Sequence, residues 1–168
     1  MKKREKMNRE DYIKNLNLEP HQEGGWFRQI YTSDEQFYAE DSKGDRYYYT
    51  SIYFLLDDTS CSHFHRLNHD ELWYYHDGEP ITIHCISPEG EYQAVRLGKD
   101  VTKGEVMQFK VPKETIFASE VTKPDSFCLV SCVVSPGFDY HDFEMLKKKE
   151  LLTQYPKYAE VIERLAID

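Results

Sequence analysis

The sequence predicts an all-β domain, an antiparallel sandwich or barrel, with a short helix before the strands and helices after them. Two observations carry this reading. Short runs rich in Tyr, Val, Ile and Phe recur through the middle of the chain, and turn chemistry separates them. The separators are Asp57-Asp58, Asp77-Gly78, Pro88-Glu89-Gly90, Lys103-Gly104 and Lys123-Pro124-Asp125. Many short strands at this spacing suit a closed or two-layer β architecture. After Pro136-Gly137 the pattern turns helical.

Taken in order, Asn8 is placed to cap a helix through Leu16, which Pro20 ends. Trp26 to Tyr31 reads as a strand after the Gly24-Gly25 turn. Tyr47 to Leu56 is a second strand, rich in Tyr and β-branched residues. Further strands are expected near 60–67, 71–77, 81–87, 92–97, 105–111, 115–121 and 127–134. Phe143 to Leu152 is expected to be one helix and Pro156 to Leu165 another, with Pro156 at a first helical position.

Composition narrows the function classes. At 168 residues the chain is one domain, 1–168, large enough for a sizeable core. Residues 1–8 are expected to form a flexible tail, with the basic start Met1 to Lys6 solvated. The net charge of −9 disfavours a nucleic-acid surface. No run approaches the roughly 20 apolar residues of a membrane span, and no signal-like segment follows the basic start. A cytoplasmic location is the expectation. Cys61, Cys85, Cys128 and Cys132 lie in apolar strand-like runs without a Cys-x-x-Cys pair, so buried reduced thiols are expected.

The chemistry concentrates at Ser62-His63-Phe64-His65 and Glu71. Alternation along a strand points His63 and His65 to one face, about 7 Å apart. Two imidazoles and a carboxylate on one face suit either a metal or a proton-transfer site. Glu71 stands in the apolar run before Leu72-Trp73-Tyr74-Tyr75. A carboxylate buried there needs a partner or a raised pKa. Trp73 and Tyr75 share its face. Tyr49, Ser51 and Tyr53 share a face of the earlier strand, taken as lining the interior. Ile52, Phe54 and Leu56 oppose them and are expected to meet a partner subunit. His69, in the connection before Asp70, is expected to be exposed. Arg66 faces away from His65, which suits a surface role.

Two blocks resemble the cupin motifs. One holds His63-Phe64-His65 and Glu71; the other runs from Gly104 through Val111-Pro112 to Phe117. Three further segments are similar to cupin family five, a branch whose biochemical function is largely unassigned. They are Leu18-Glu19-Pro20-His21-Gln22-Glu23-Gly24-Gly25-Trp26-Phe27-Arg28, His65-Arg66-Leu67-Asn68-His69-Asp70-Glu71-Leu72-Trp73, and Ser135-Pro136-Gly137-Phe138-Asp139-Tyr140 with Asp142-Phe143-Glu144. The resemblance runs from about residue 10 to the end. It implies a double-stranded β-helix, the jelly-roll cupin barrel, usually paired as a homodimer. Two departures stand out. Five residues separate His65 from Glu71, more than is usual, and Phe117 stands where metal cupins supply a further histidine.

Three functions compete. The first is a metal-independent, isomerase- or epimerase-like enzyme on a small polar substrate, sugar-like or a hydroxy acid. His65 would be its base, Glu71 or Tyr53 the acid partner, and Arg28 an anion clamp. Tyr49, Trp73, Tyr75, Phe117 and His63 would line the pocket. An ion pair to Glu71 or Asp70 is the alternative for Arg28. The second is a divalent-metal cupin, an oxygenase or isomerase holding its ion with His63, His65 and Glu71. The third is a non-catalytic small-molecule binding protein.

Overall fold

Asn8 opens the first element in the way its position foretells. Its side chain accepts from the Asp11 backbone N–H at 2.9 Å, and the Asp11 carboxylate accepts from the Asn8 N–H at 3.0 Å. This reciprocal cap starts α1, Arg9–Asn15. The computed structural model describes residues 5–168. Residues 1–4 of the expected tail therefore lie outside the described residues, and Asn8 belongs to the helix rather than to a tail.

The strands are β1 Glu19–Pro20, β2 Trp26–Thr32, β3 Gln36–Ala39, β4 Gly44–Tyr47, β5 Thr50–Asp57, β6 Cys61–Leu67 and β7 Asp70–Gly78. They continue as β8 Ile81–Ile86, β9 Tyr92–Leu97, β10 Gln108–Val111, β11 Ile116–Glu120, β12 Phe127–Ser135 and β13 Phe143–Met145. Helices α2, Lys148–Gln154, and α3, Ala159–Leu165, close the chain. One antiparallel sheet has the order β1-β2-β5-β12-β7-β10, the other β13-β6-β11-β8-β9. This is the double-stranded β-helix.

The barrel core lies between the sheets. Phe54, Leu56, Trp73, Cys128, Val130 and Cys132 from the first sheet meet Ile81, Ile83, Cys85 and Phe117 from the second. The outer face of the second sheet, through Phe64, Ile86, Ile116 and Ala118, is covered by Leu151 of α2 and by Val161, Ile162 and Leu165 of α3. On the outside of the first sheet, Leu55 and Leu129 pack with Trp26, Tyr53 and the α1 residues Tyr12 and Ile13.

Four expectations need correction. The strand read as Tyr47 to Leu56 starts at Thr50, and Tyr47 belongs to a separate β3–β4 hairpin. The two faces of β5 are exchanged: Ile52, Phe54 and Leu56 turn to the core, while Tyr53 sits on the outer side. The more apolar face takes the interior because it loses more water-exposed apolar area there. Phe143 to Met145 is not helical but pairs with β6 as an edge strand, Phe143 opposite Leu67 and Met145 opposite His65. His69 is buried, its Nε2 2.7 Å from the Ser42 hydroxyl. The cysteines are all free; Cys85, Cys128 and Cys132 are buried and Cys61 is half-buried.

Candidate functional site

The site begins with a turn. The His21 N–H donates to the Gly25 carbonyl at 2.9 Å, and the Gly24 N–H donates to the His21 carbonyl at 3.1 Å. Gly24 has φ +114, and a Cβ there would lie 1.8 Å from the Cys61 carbonyl oxygen. Only glycine lets the turn press this closely on β6. The Glu23 carbonyl then accepts from the His63 N–H at 2.8 Å and lies 2.8 Å from His63 Nδ1. The turn delivers the Glu23 side chain into the barrel.

β6 answers with a bulge. Its pairing with β11 puts His65 opposite Phe117 but Ser62 opposite Ser119, so three steps on β6 match two on β11. Simple alternation breaks here. Phe64 goes to the outer cluster, His65 goes inward, and the His63 ring folds onto the Glu23 carbonyl. His63 and His65 therefore do not converge on one site.

His65 is 2 % exposed. Its Nδ1 lies 2.7 Å from the His63 carbonyl and its Nε2 2.9 Å from Glu23 Oε2. Both partners are acceptors, so the ring satisfies them only with a proton on each nitrogen. Burial alone would discharge the pair. The attraction between His65 and Glu23 outweighs it, raising the imidazole pKa and lowering that of the carboxyl. The result is a buried imidazolium–carboxylate pair.

Glu71 enters from β7 with Trp73 on the same face, as alternation requires. Burial, and then the charge of Glu23, push its pKa up to about 8. It is a neutral acid at pH 7, in the same cavity lining as the buried Cys132 thiol. His21 is the fourth group. Its Nδ1 accepts the Glu23 backbone N–H at 3.0 Å. Burial lowers its pKa, so the ring is neutral and carries its proton on Nε2.

These four groups line one cavity of ≈ 130 Å³. Phe27, Ile52, Leu67 and Val134 give it apolar walls, and Gln29 and Thr50 add polar ones. Phe138 and the half-exposed Tyr140 stand at its open end. That end is pinned from behind. The Thr50 hydroxyl accepts the Phe138 N–H at 2.9 Å, and Arg46 makes two bonds to Asp142 at 2.7 and 3.0 Å. A larger surface depression of ≈ 620 Å³ lies beside α1, but its buried carboxylate, Asp57, is already engaged by Thr59, Ser60 and Arg9.

Of the residues expected from sequence, His65 and Glu71 reach the cavity. Trp73 and Phe117 stand just behind it in the core, their rings 6.4 Å apart. Tyr75 packs against that core and donates its hydroxyl to the Gly78 carbonyl at 2.6 Å. Arg28 is exposed on β2 opposite Tyr53, and Tyr53 faces outward beside His76. Tyr49 is exposed before β5. His63 is outside the lining. The residues present do not fit the metal set of His63, His65 and Glu71. His63 is turned to a carbonyl, the free side of His65 is held by Glu23, and Phe117 packs on His65 at 4.1 Å. Among the described residues, no group of three or more His, Cys, Asp or Glu could hold a metal ion.

His21 and Glu23 were not singled out as site residues by sequence reasoning. The available signal was their spacing, His-x-Glu directly before Gly24-Gly25, within a family-like segment.

A family model described as "Cupin superfamily (DUF985)" matches residues 10–146. The chain belongs to this cupin family. A hypothetical protein from Leishmania major superposes on it with a TM-score of 0.91 at 38% identity, covering 96% of this chain and 100% of that one. Protein SO0799 of Shewanella oneidensis superposes with a TM-score of 0.88 at 46% identity, covering 96% and 98%. The uncharacterized protein YML079W of Saccharomyces cerevisiae is 29% identical over 153 residues, 83% of this cupin and 76% of the relative. These names carry no activity. No described helix of the cupin is long and apolar enough to cross a membrane.

Proposed function

We propose that this cupin is a metal-independent acid–base enzyme that moves a proton next to a carbonyl, as an isomerase or epimerase does. The observation behind the reading is the placement of His65 between a carbonyl at 2.7 Å and the Glu23 carboxylate at 2.9 Å. That pair keeps Glu23 ionised in the same cavity as a protonated Glu71. Two carboxyl groups held in opposite protonation states supply a base and an acid at one pH. Since both His65 nitrogens are engaged, the base role moves from His65 to Glu23, and His65 becomes the positioning residue. Glu71 donates to the developing oxyanion, and the neutral His21 Nε2–H is a second donor to it.

The test is exchange of carbon-bound protons in D₂O, followed by NMR, across a panel of small carbonyl compounds. Wild-type protein is expected to catalyse exchange on a member of the panel. Glu23→Gln and Glu71→Gln should each slow it by about 10²–10⁴-fold. Exchange that survives both substitutions would remove the two carboxyls from the chemistry, and no exchange on any member of the panel would favour a binding protein. The raised Glu71 pKa also sets the pH limit: activity should fall as pH rises through about 8.

A homodimer is proposed as well, on a different surface from the one read in the sequence. With Ile52, Phe54 and Leu56 in the core, the available surface is the part of the first sheet's outer face that α1 leaves uncovered, where Ile30 and Tyr31 of β2 are exposed. Closed symmetric dimers are the commonest assemblies. Light scattering at micromolar concentration should give twice the chain mass of 20.0 kDa. A value equal to one chain would rule the dimer out.

A further inference from the structure

The acid–base reading leaves the substrate open between a sugar-like compound and a hydroxy acid. The charge inventory of the cavity separates them. Its ionised groups are His65 and Glu23, and these neutralise each other at 2.9 Å. Glu71 and His21 are uncharged. Among the described lining residues there is no Lys or Arg, and Arg28, the expected anion clamp, is exposed on the outer side of β2 opposite Tyr53. An anion entering this space would leave water, meet no spare cation, and face Glu23 and Glu71. A cation would find its one possible counter-ion already taken. Charges buried without a partner are strongly disfavoured.

Size gives the second constraint. The cavity measures ≈ 130 Å³. An engineered cavity of about 150 Å³ admits benzene, so about six non-hydrogen atoms fill this one. Polarity gives the third. Donors and acceptors from His21, Glu23, Glu71, Gln29 and Thr50 face apolar walls such as Ile52 and Val134. A ligand with a carbonyl, one or two hydroxyls and a short carbon chain meets both.

We propose that the cavity takes an uncharged hydroxy-aldehyde or hydroxy-ketone of about three or four carbons, and excludes carboxylates and amines of the same size. The proposal rests on the acid–base reading for its chemistry but not for its binding preference. The step balances without a co-reactant. The C–H bond beside the carbonyl breaks, its proton goes to Glu23, its electron pair forms a C=C bond, and the carbonyl π pair moves onto the oxygen, which takes the proton of Glu71 to give an enediol. Return of the proton from Glu23 to the former carbonyl carbon, with Glu71 recovering a proton from the neighbouring hydroxyl, gives the isomer.

The test uses three probes of similar size: dihydroxyacetone, lactate and ethanolamine. Binding is read by ligand-observed NMR, and exchange by loss of C–H signal in D₂O. Dihydroxyacetone is expected to bind at least tenfold more tightly than either charged probe. Gln29 is exposed at the cavity edge, so Gln29→Arg adds a cation without burying it deeply, and it should raise lactate affinity at least tenfold. Lactate or ethanolamine binding as tightly as dihydroxyacetone, or no binding of dihydroxyacetone at millimolar concentration, overturns the substrate class. An unchanged lactate affinity in Gln29→Arg overturns the charge argument behind it. The two readings fail separately. Dihydroxyacetone bound without proton exchange upholds the class and removes the acid–base chemistry. Exchange on lactate alone upholds the chemistry and removes the class.

Discussion

His65→Ala is expected to lower folding stability by about 3–5 kcal/mol at pH 7, the cost of breaking a buried ion pair by removing one partner. Glu23 would be left in the barrel facing no cation, beside the His63 carbonyl that also loses its donor. The Glu23 carboxyl should answer by taking up a proton, since His65 is what lowers its pKa against burial. Glu23→Gln in the same chain should then recover part of the loss, because the orphaned charge is gone. Urea unfolding of the two variants at pH 7 measures both effects. A loss below about 1 kcal/mol would mean that the pair is not a buried charge pair.

The pH dependence of that pair has two edges. The His65 pKa is raised, so its contribution is complete below the unfolded value of 6.5 and fades as pH rises through the folded value. The Glu23 pKa is lowered, so its contribution is complete above 4.5 and is lost as pH falls through the folded value. The pair is therefore strongest between these two edges.

Glu71→Gln should act in the opposite direction. The Glu71 pKa is about 8 when folded, against 4.5 unfolded. Between those values the unfolded chain releases a proton that the folded chain keeps, so stability falls as pH rises across that window. Below 4.5 the penalty is absent, and above about 8 it is complete. Glutamine removes the titration while keeping the shape. At pH 8–9 the variant should exceed the wild type by an amount on the order of 3–5 kcal/mol. Near pH 4 the two should differ little. Thermal or urea unfolding across pH 4–9 checks the slope. A difference independent of pH would show that Glu71 is ionised throughout. The same substitution should abolish the acid role, so stability rises while proton exchange falls, a trade common where a site carries destabilised groups.

How much of this could be read from the chain depends on which physical rule governs each residue. Trp73 and Glu71 share the inner face because β7 alternates simply from Asp70 to Tyr75. Alternation was enough there, and it also foretold that the buried Glu71 would need a partner or a raised pKa. β6 defeats the same rule, because its bulge against β11 inserts a residue and sends His63 elsewhere. A bulge is set by pairing with a distant strand and leaves little trace in local sequence. At β5 and the residue before it, the hydroxyls of Tyr53 and Tyr49 suggest a polar lining, but Ile52, Phe54 and Leu56 bury more apolar area and take the interior.

The β3–β4 hairpin and the Phe143–Met145 edge strand were missed for a related reason. Gln36-Phe37-Tyr38-Ala39 has no clean period, and three residues are too few to show one. Glu23 was hidden most deeply. It lies in an irregular turn, and its side chain enters the barrel only because Gly24 lets that turn touch the Cys61 carbonyl. Glycine there is legible in the sequence; the strand it presses against is not.

Everything proposed for the site depends on Glu23 and Glu71 sharing the cavity in opposite protonation states, with His65 charged beside Glu23. Carbon-13 NMR of the glutamate side-chain carboxyls, together with nitrogen-15 shifts of the His65 ring, titrated from pH 3 to 10, reads all three groups directly. The expected result is a Glu71 carboxyl that loses its proton near pH 8, a Glu23 carboxyl that titrates below the ordinary 4.5, and a His65 ring protonated on both nitrogens at pH 7. Both carboxyls ionised at pH 7, or a neutral His65 ring there, would contradict it.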